Sequence, residues 1–134
     1  MLTHVFTKRL SFFLFTILCI PYFCGCDSTT EVSETVQRFF KLAAEQKDEE
    51  ALKLLSPELQ DEIKYHPAGF QTSLEVYINT FTENRGKLEI LDESRRHSDA
   101  FVECRITRSD GTKIEKRIPL VQSEEDERWY ISKK

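Results

Sequence analysis

The chain has 134 residues, 19 Lys plus Arg against 23 Asp plus Glu, and a formal charge of −4. That length suits one domain, and four glycines, four prolines and a 40% hydrophobic share exclude a collagen-like, low-complexity or multi-span membrane protein. The acidic balance excludes a general nucleic-acid binder, which needs a basic face to neutralise phosphates.

Charge is unevenly spread. From Met1 to Gly25 the only charged side chains are Lys8 and Arg9, and an apolar run from Leu10 to Phe23 follows them. A basic segment leading into a short apolar one is the pattern of a secretory signal. The run falls short of the roughly 20 residues that a stable membrane-crossing helix needs, and Pro21 interrupts it. Ordinary signal peptidase requires small side chains one and three residues before its cut; cutting after Gly25 would put bulky Phe23 at the second of these positions. Phe23-Cys24-Gly25-Cys26 instead resembles a bacterial lipobox, in which a large apolar residue and then a small one precede the modified Cys. Phe in place of the usual Leu, and Cys24 between, depart from the favoured pattern. The resemblance implies a diacylglycerol on the Cys26 thiol, cleavage after Gly25 and acylation of the new amino group.

Residues 1–25 are therefore expected to be a lipoprotein signal peptide, and residues 26–134 a single α+β domain with a very short lipid tether, 26–30. Removing 25 residues leaves 109, and losing Lys8 and Arg9 takes the charge to −6. Such an acidic body gains nothing from anionic headgroups, so the acyl chains must hold it, two or more being needed for stable anchoring. Asp27 resembles the inner-membrane retention signal of enteric lipoproteins. With Cys19 and Cys24 gone and Cys26 a thioether, Cys104 is left as a small buried hydrophobe; were Cys26 unmodified, a Cys26–Cys104 bridge would become available.

Ser28-Thr29-Thr30-Glu31 is a capping-box pattern, and Val32, Val36, Phe39, Phe40 and Ala43 follow with helical spacing. Asp48 is placed to cap a second helix carrying Ala51, Leu52, Leu54 and Leu55. Ser56-Pro57 starts a third, with Ser as cap and Pro at the first turn. His66-Pro67-Ala68-Gly69 breaks the pattern. Phe70, Leu74, Tyr77, Ile78 and Phe81 then predict a helix that Asn84-Arg85-Gly86 stops.

From Lys87 the period changes to two. Leu88 and Ile90 alternate with charge, and Ala100, Val102, Cys104 and Ile106 form one face of a second strand. Asp110-Gly111 predicts a tight hairpin into Lys113–Val121. The acidic run Gln122–Glu127 predicts a further turn before a last strand, Arg128–Ser132. Helices first and strands afterwards imply an α+β fold, with the helices packed on one face of a four-stranded antiparallel sheet.

Val36-Gln37-Arg38-Phe39-Phe40-Lys41-Leu42-Ala43-Ala44, Asp48 to Pro57, Asp99 to Glu103, Asp110-Gly111, Ile118 to Val121 and Trp129-Tyr130-Ile131 together resemble the small bacterial lipoproteins of the nuclear transport factor 2-like superfamily, in particular a group of unknown function. The resemblance spans Glu31 to Ser132. It implies a curved sheet wrapped around a long helix, a cone (nuclear transport factor 2-like, cystatin-like) whose open end can hold an apolar molecule.

Enzymes of that superfamily place Asp, His or Tyr inside the cone, which nominates Tyr65, His66, Tyr77 and His97. His66 and His97 fall in predicted loops, where exposure is usual, and Tyr77 lies on an apolar stripe, which favours a core role with its hydroxyl on a partner. No Asp or Glu falls on the inward register of two neighbouring strands, as an acid–base pair requires. His66, His97 and Cys104 show no metal-ligand spacing, so no metal or cofactor is expected. Arg95-Arg96-His97 is a small basic spot that reads as a solvated turn rather than an anion site. Tyr77, Phe81, Lys116 and Trp129 are the candidates to line a ligand pocket, Lys116 because it shares a strand face with Ile114, Ile118 and Leu120.

The resulting expectation is an extracytoplasmic, membrane-anchored binding or adaptor domain without catalysis. Its partners would be the membrane through its lipid, a small apolar ligand or an envelope protein, and a second copy docked on the outer sheet face. The alternative is an isomerase- or dehydratase-like enzyme with an acid–base site in the cone.

Overall fold

The computed structural model describes residues 31–133. The expected signal peptide (1–25), the lipidation residue Cys26, Asp27, the tether (26–30) and the Ser28 capping box lie outside the described residues. Four helices come first: α1 Glu31–Ala44, α2 Asp48–Leu52, α3 Pro57–Lys64 and α4 Phe70–Phe81. Four strands follow: β1 Lys87–Arg96, β2 Asp99–Thr107, β3 Lys113–Gln122 and β4 Trp129–Ile131. They pair antiparallel in chain order, the meander that the alternation predicts. Among the described residues no helix is long and apolar enough to cross a membrane.

The core forms where the two periods meet. Helix α1 buries Val32, Val36, Phe39, Phe40 and Ala43 and packs against β1, β2 and β4. Opposite it, β2 buries Ala100, Val102, Cys104 and Ile106, the four positions of one pleat face. Ile118 and Leu120 of β3, Trp129 and Ile131 of β4, and Leu74 and Ile78 of α4 complete the layer. Burying each large apolar side chain is worth roughly 1.5–3 kcal/mol, so this face holds the two layers together.

One sheet edge is sealed by the helical half. The Ile131 amide donates to the Leu54 carbonyl at 2.9 Å, and the Ser56 amide donates to the Ile131 carbonyl at 2.8 Å. Leu55 thereby bridges Ile131 in parallel. Immediately afterwards the Ser56 hydroxyl accepts from the Leu59 amide at 3.4 Å, and Pro57 opens α3, as the sequence predicts.

Four local expectations change. Lys47, not Asp48, occupies the cap position of α2, without a side-chain cap bond, because the Asp48 carboxylate is drawn to Arg85. Gly86 does not supply the left-handed stop after α4. That conformation falls on Glu83, Asn84 and Arg85 (φ 55°, 61° and 62°), while Gly86 lies where a Cβ would stand 2.7 Å from the Thr107 carbonyl oxygen. Asp110-Gly111 belongs to a five-residue connection rather than a two-residue turn: the Arg108 amide donates to the Thr112 carbonyl, and Asp110 Oδ1 accepts from the Thr112 amide. Finally, β1 runs on to Arg96, so Arg95 and Arg96 are strand residues, and His97-Ser98 alone form the turn.

That longer β1 contains a bulge. Ile90 pairs with Cys104 and Asp92 with Glu103, leaving Leu91 as the extra residue. Beyond the bulge every side chain of β1 exchanges faces.

Candidate functional site

The concave side of the sheet, where the superfamily resemblance places a ligand, is filled. Phe39, Ile78, Ile118 and Val102 are at most 2% exposed. Phe39 meets Phe81 edge-on at 5.1 Å between ring centroids, and Phe40 lies 6.0 Å from the same ring. The thiol of Cys104 lies in this layer, and burial pushes its pKa up to about 11, so it stays protonated and inert at neutral pH.

Among the proposed catalytic residues, His66 and Tyr77 come together on one wall and Tyr65 does not join them. They line an apolar depression of about 340 Å3 with Ala68, Thr72, Ser73, Val76 and Thr80. Tyr65 is 80% exposed, and His97 stands in its exposed turn at φ 56°. His66 Nδ1 accepts the Ala68 amide at 3.0 Å, which leaves the proton of a neutral ring on Nε2. Tyr77 stacks on Phe81 at 5.6 Å, and its hydroxyl finds no partner among the described residues, contrary to expectation. Burial, reinforced by the Glu62 charge, pushes its ionisation well above the ordinary range. The phenol therefore stays a hydrogen-bond donor and cannot serve as a base. The buried Ser73 Oγ also has no hydrogen-bond partner among the described residues.

Lys116 faces inward as the alternation predicts, but its charge closes a helix end. Nζ donates to the Thr80 and Phe81 carbonyls, each at 3.0 Å, and pairs with Glu83 Oε2 at 2.8 Å. It also lies 5.8 Å from the Phe81 ring centroid. A cation here satisfies carbonyls that the last turn of α4 leaves open. Arg108 completes the arrangement, donating to Glu83 Oε1 at 2.7 and 3.1 Å. These two cations hold the Glu83 carboxyl below its ordinary pKa. Phe81 and Lys116 line none of the depressions described here; Trp129, 3% exposed, borders one of about 340 Å3 beside Glu34, Arg38 and Arg128.

The bulge supplies what the sequence pattern concealed. In its new register Glu93 stands opposite Val102 and Arg95 opposite Ala100, so both reach the inward face. The Ser33 hydroxyl of α1 donates to Glu93 Oε1 at 2.6 Å, and the Arg95 guanidinium lies over the Trp129 ring at 5.0 Å. An inward acid therefore exists on β1, but no second carboxylate accompanies it on the neighbouring face of β2, where Ala100, Val102 and Cys104 stand. Among the described residues no group of His, Cys, Asp and Glu is arranged to hold a metal ion.

The outer face of the sheet carries the remaining relief. A depression of about 650 Å3 runs from Ser56-Pro57-Glu58 past Asp99, Phe101, Leu120 and Val121 to Ser132 and Lys133. Beside it lies one of about 310 Å3, lined by Ser94, Arg95, Arg96, Asp99, Phe101 and Arg117.

No family model matches the chain, and no curated protein matches it. Solved structures do share its architecture. An NTF2-like transpeptidase from Campylobacter jejuni superposes with a TM-score of 0.54 at 9% identity, covering 76% of this chain and 97% of the other. The fold is nuclear transport factor 2-like. A SEC-C motif containing protein from Rhodopseudomonas palustris superposes with a TM-score of 0.50 at 19% identity, over 74% of this chain and 73% of the other. At these identities the likeness is one of backbone, and the activity or motif in each name belongs to that protein.

Proposed function

We propose that this chain is a lipid-anchored binding or adaptor domain of a bacterial envelope, without catalysis of its own. It is held at the extracytoplasmic side of a membrane through acylated Cys26, with Asp27 favouring the inner membrane. The observation that carries the non-catalytic reading is the filled cone: Phe39, Ile78 and Ile118 occupy the space in which a substrate would sit. Gly25-Cys26 after the apolar leader supports the anchor. A small apolar ligand or a protein partner is then met at the surface, where Tyr77 and Val76, the latter 58% exposed, offer an apolar wall with the Ser73 hydroxyl beside it.

The enzymatic alternative draws on the same depression, since His66 and Tyr77 share it. An acid–base mechanism there lacks a carboxylate among the lining residues, and Tyr77 is held protonated. Binding is the reading that the depression supports.

Metabolic labelling with a palmitate analogue tests the anchor in the intact organism. The wild type and a Cys104→Ala variant take up label, and Cys26→Ala takes up none. Equal labelling of Cys26→Ala, or an unlabelled wild type, overturns the proposal.

A further inference from the structure

We propose that the outer face of the sheet at Arg96 and Arg117 is a binding site for a phosphate-bearing anion. This goes beyond the anchored-domain reading and does not depend on it. Of the eight described arginines, Arg38, Arg85, Arg105 and Arg108 each pair with a carboxylate. Arg95, Arg96, Arg117 and Arg128 make no ion pair among the described residues, although the domain is acidic, and the first three line the same depression of about 310 Å3.

Position and orientation are both fixed. Past the Leu91 bulge, Ser94 and Arg96 point outward, opposite Phe101 and Asp99. Arg117 projects from β3 on the same face and lies over the Phe101 ring, 4.0 Å from its centroid. Stacking immobilises the guanidinium while leaving its edge donors free for a ligand, so little entropy remains to be lost on binding. Arg95 at the margin is likewise pinned, over Trp129.

Two planar forks around a shallow depression suit the several oxygens of a phosphate, and the Ser94 hydroxyl adds a donor. Asp99 is the one carboxylate in the lining, so the excess of positive charge survives it. The adjoining depression of about 650 Å3 shares Asp99 and Phe101 and offers Val121 to the organic remainder of such a ligand.

The phosphate group could belong to a bilayer lipid or to a soluble compound, and one experiment separates them. The full-length protein, 15N-labelled and purified in nonionic detergent micelles, is titrated with inorganic phosphate while the arginine Nε–Hε resonances are followed. Resonances of Arg96 and Arg117 should shift saturably, those of Arg38 and Arg105 should not, and Arg96→Gln or Arg117→Gln should weaken binding about tenfold, the loss of a charge-assisted hydrogen bond. Arg117→Lys, which keeps the charge but not the fork, should weaken it too. Both positions are exposed, so the variants should keep the wild-type melting temperature. Adding phosphatidylglycerol to the micelles in place of phosphate identifies a lipid source if it reproduces the shifts. If it leaves them unchanged while phosphate moves them, the source is soluble. Linear shifts common to all arginines, or saturable shifts that survive both Gln variants, overturn the site.

Discussion

Arg85 grips Asp48 with both terminal nitrogens, at 2.9 and 3.0 Å, across 37 residues of sequence. The same guanidinium donates to the Ala43 carbonyl at the end of α1. One side chain thus ties the last turn of α1 and the first residue of α2 to the left-handed turn that follows α4. Three successive residues in that conformation cost roughly 1–2 kcal/mol each, less for Asn. The turn persists because its side chains are held: Arg85 by Asp48, Glu83 by Arg108 and Lys116, and the Arg85 amide by the Thr82 hydroxyl at 2.9 Å.

Arg85→Ala should therefore destabilise the domain by about 2–3 kcal/mol, since it removes a two-pronged charged contact and leaves Asp48 unpartnered. Asp48→Ala should cost less, because Arg85 keeps the Ala43 carbonyl. Chemical denaturation of both single variants and the double variant should return a coupling of about 1–2 kcal/mol. A coupling near zero would show that the pair does not hold the turn.

Glu83 makes the same turn sensitive to acid. Its carboxyl sits below the ordinary value of 4.5 in the folded state because Lys116 and Arg108 hydrogen-bond to the anion. A depressed carboxylate contributes stability that is complete above its unfolded pKa and is lost as pH falls through the folded one. Thermal melts from about pH 7 down to about pH 3 should thus show the wild type more stable than Glu83→Gln at neutral pH, with the gap closing below about 4.5. A gap that stays constant to the acid end would remove Glu83 from the account of that turn.

Gly86 is required for space rather than for a left-handed conformation. A Cβ there would meet the Thr107 carbonyl oxygen at 2.7 Å and Ile106 Cγ2 at 2.8 Å. The first contact is with backbone of β2, which cannot retreat without opening the sheet. Gly86→Ala should cost about 2–4 kcal/mol by overpacking. By contrast, Gly69→Ala meets open space and suffers only from its φ of 98°, so it should cost less. Equal melting temperatures for the two variants would contradict this.

What the sequence discloses about this molecule follows from where its patterns are strong. Ala100 to Ile106 alternate without interruption, so their face and register are legible, as is Ser56-Pro57 at the start of α3. The second half of β1 is different. Asp92-Glu93-Ser94-Arg95-Arg96 is polar on both faces, and without a hydrophobic alternation nothing in the chain announces the slip at Leu91. The inward Glu93, its Ser33 donor and the outward Arg96 beside Phe101 all depend on that one extra residue. Asp48 and Arg85 are hidden for another reason: each looks like a local capping or turn residue, and only the closed fold brings them together. The arginine spot at 95–97 is visible as charge, but its complement, Arg117, comes from a different strand.

Attachment to the membrane rests on the chemistry of one sulfur, at Cys26. Mass spectrometry of the N-terminal peptide, from protein purified out of the membrane fraction, tests it most directly. A lipid-anchored protein yields a peptide that begins at Cys26, with a diacylglyceryl thioether on the sulfur and an acyl group on the amino nitrogen. A peptide with an unmodified Cys26 thiol, or one that still carries residues 1–25, would contradict it.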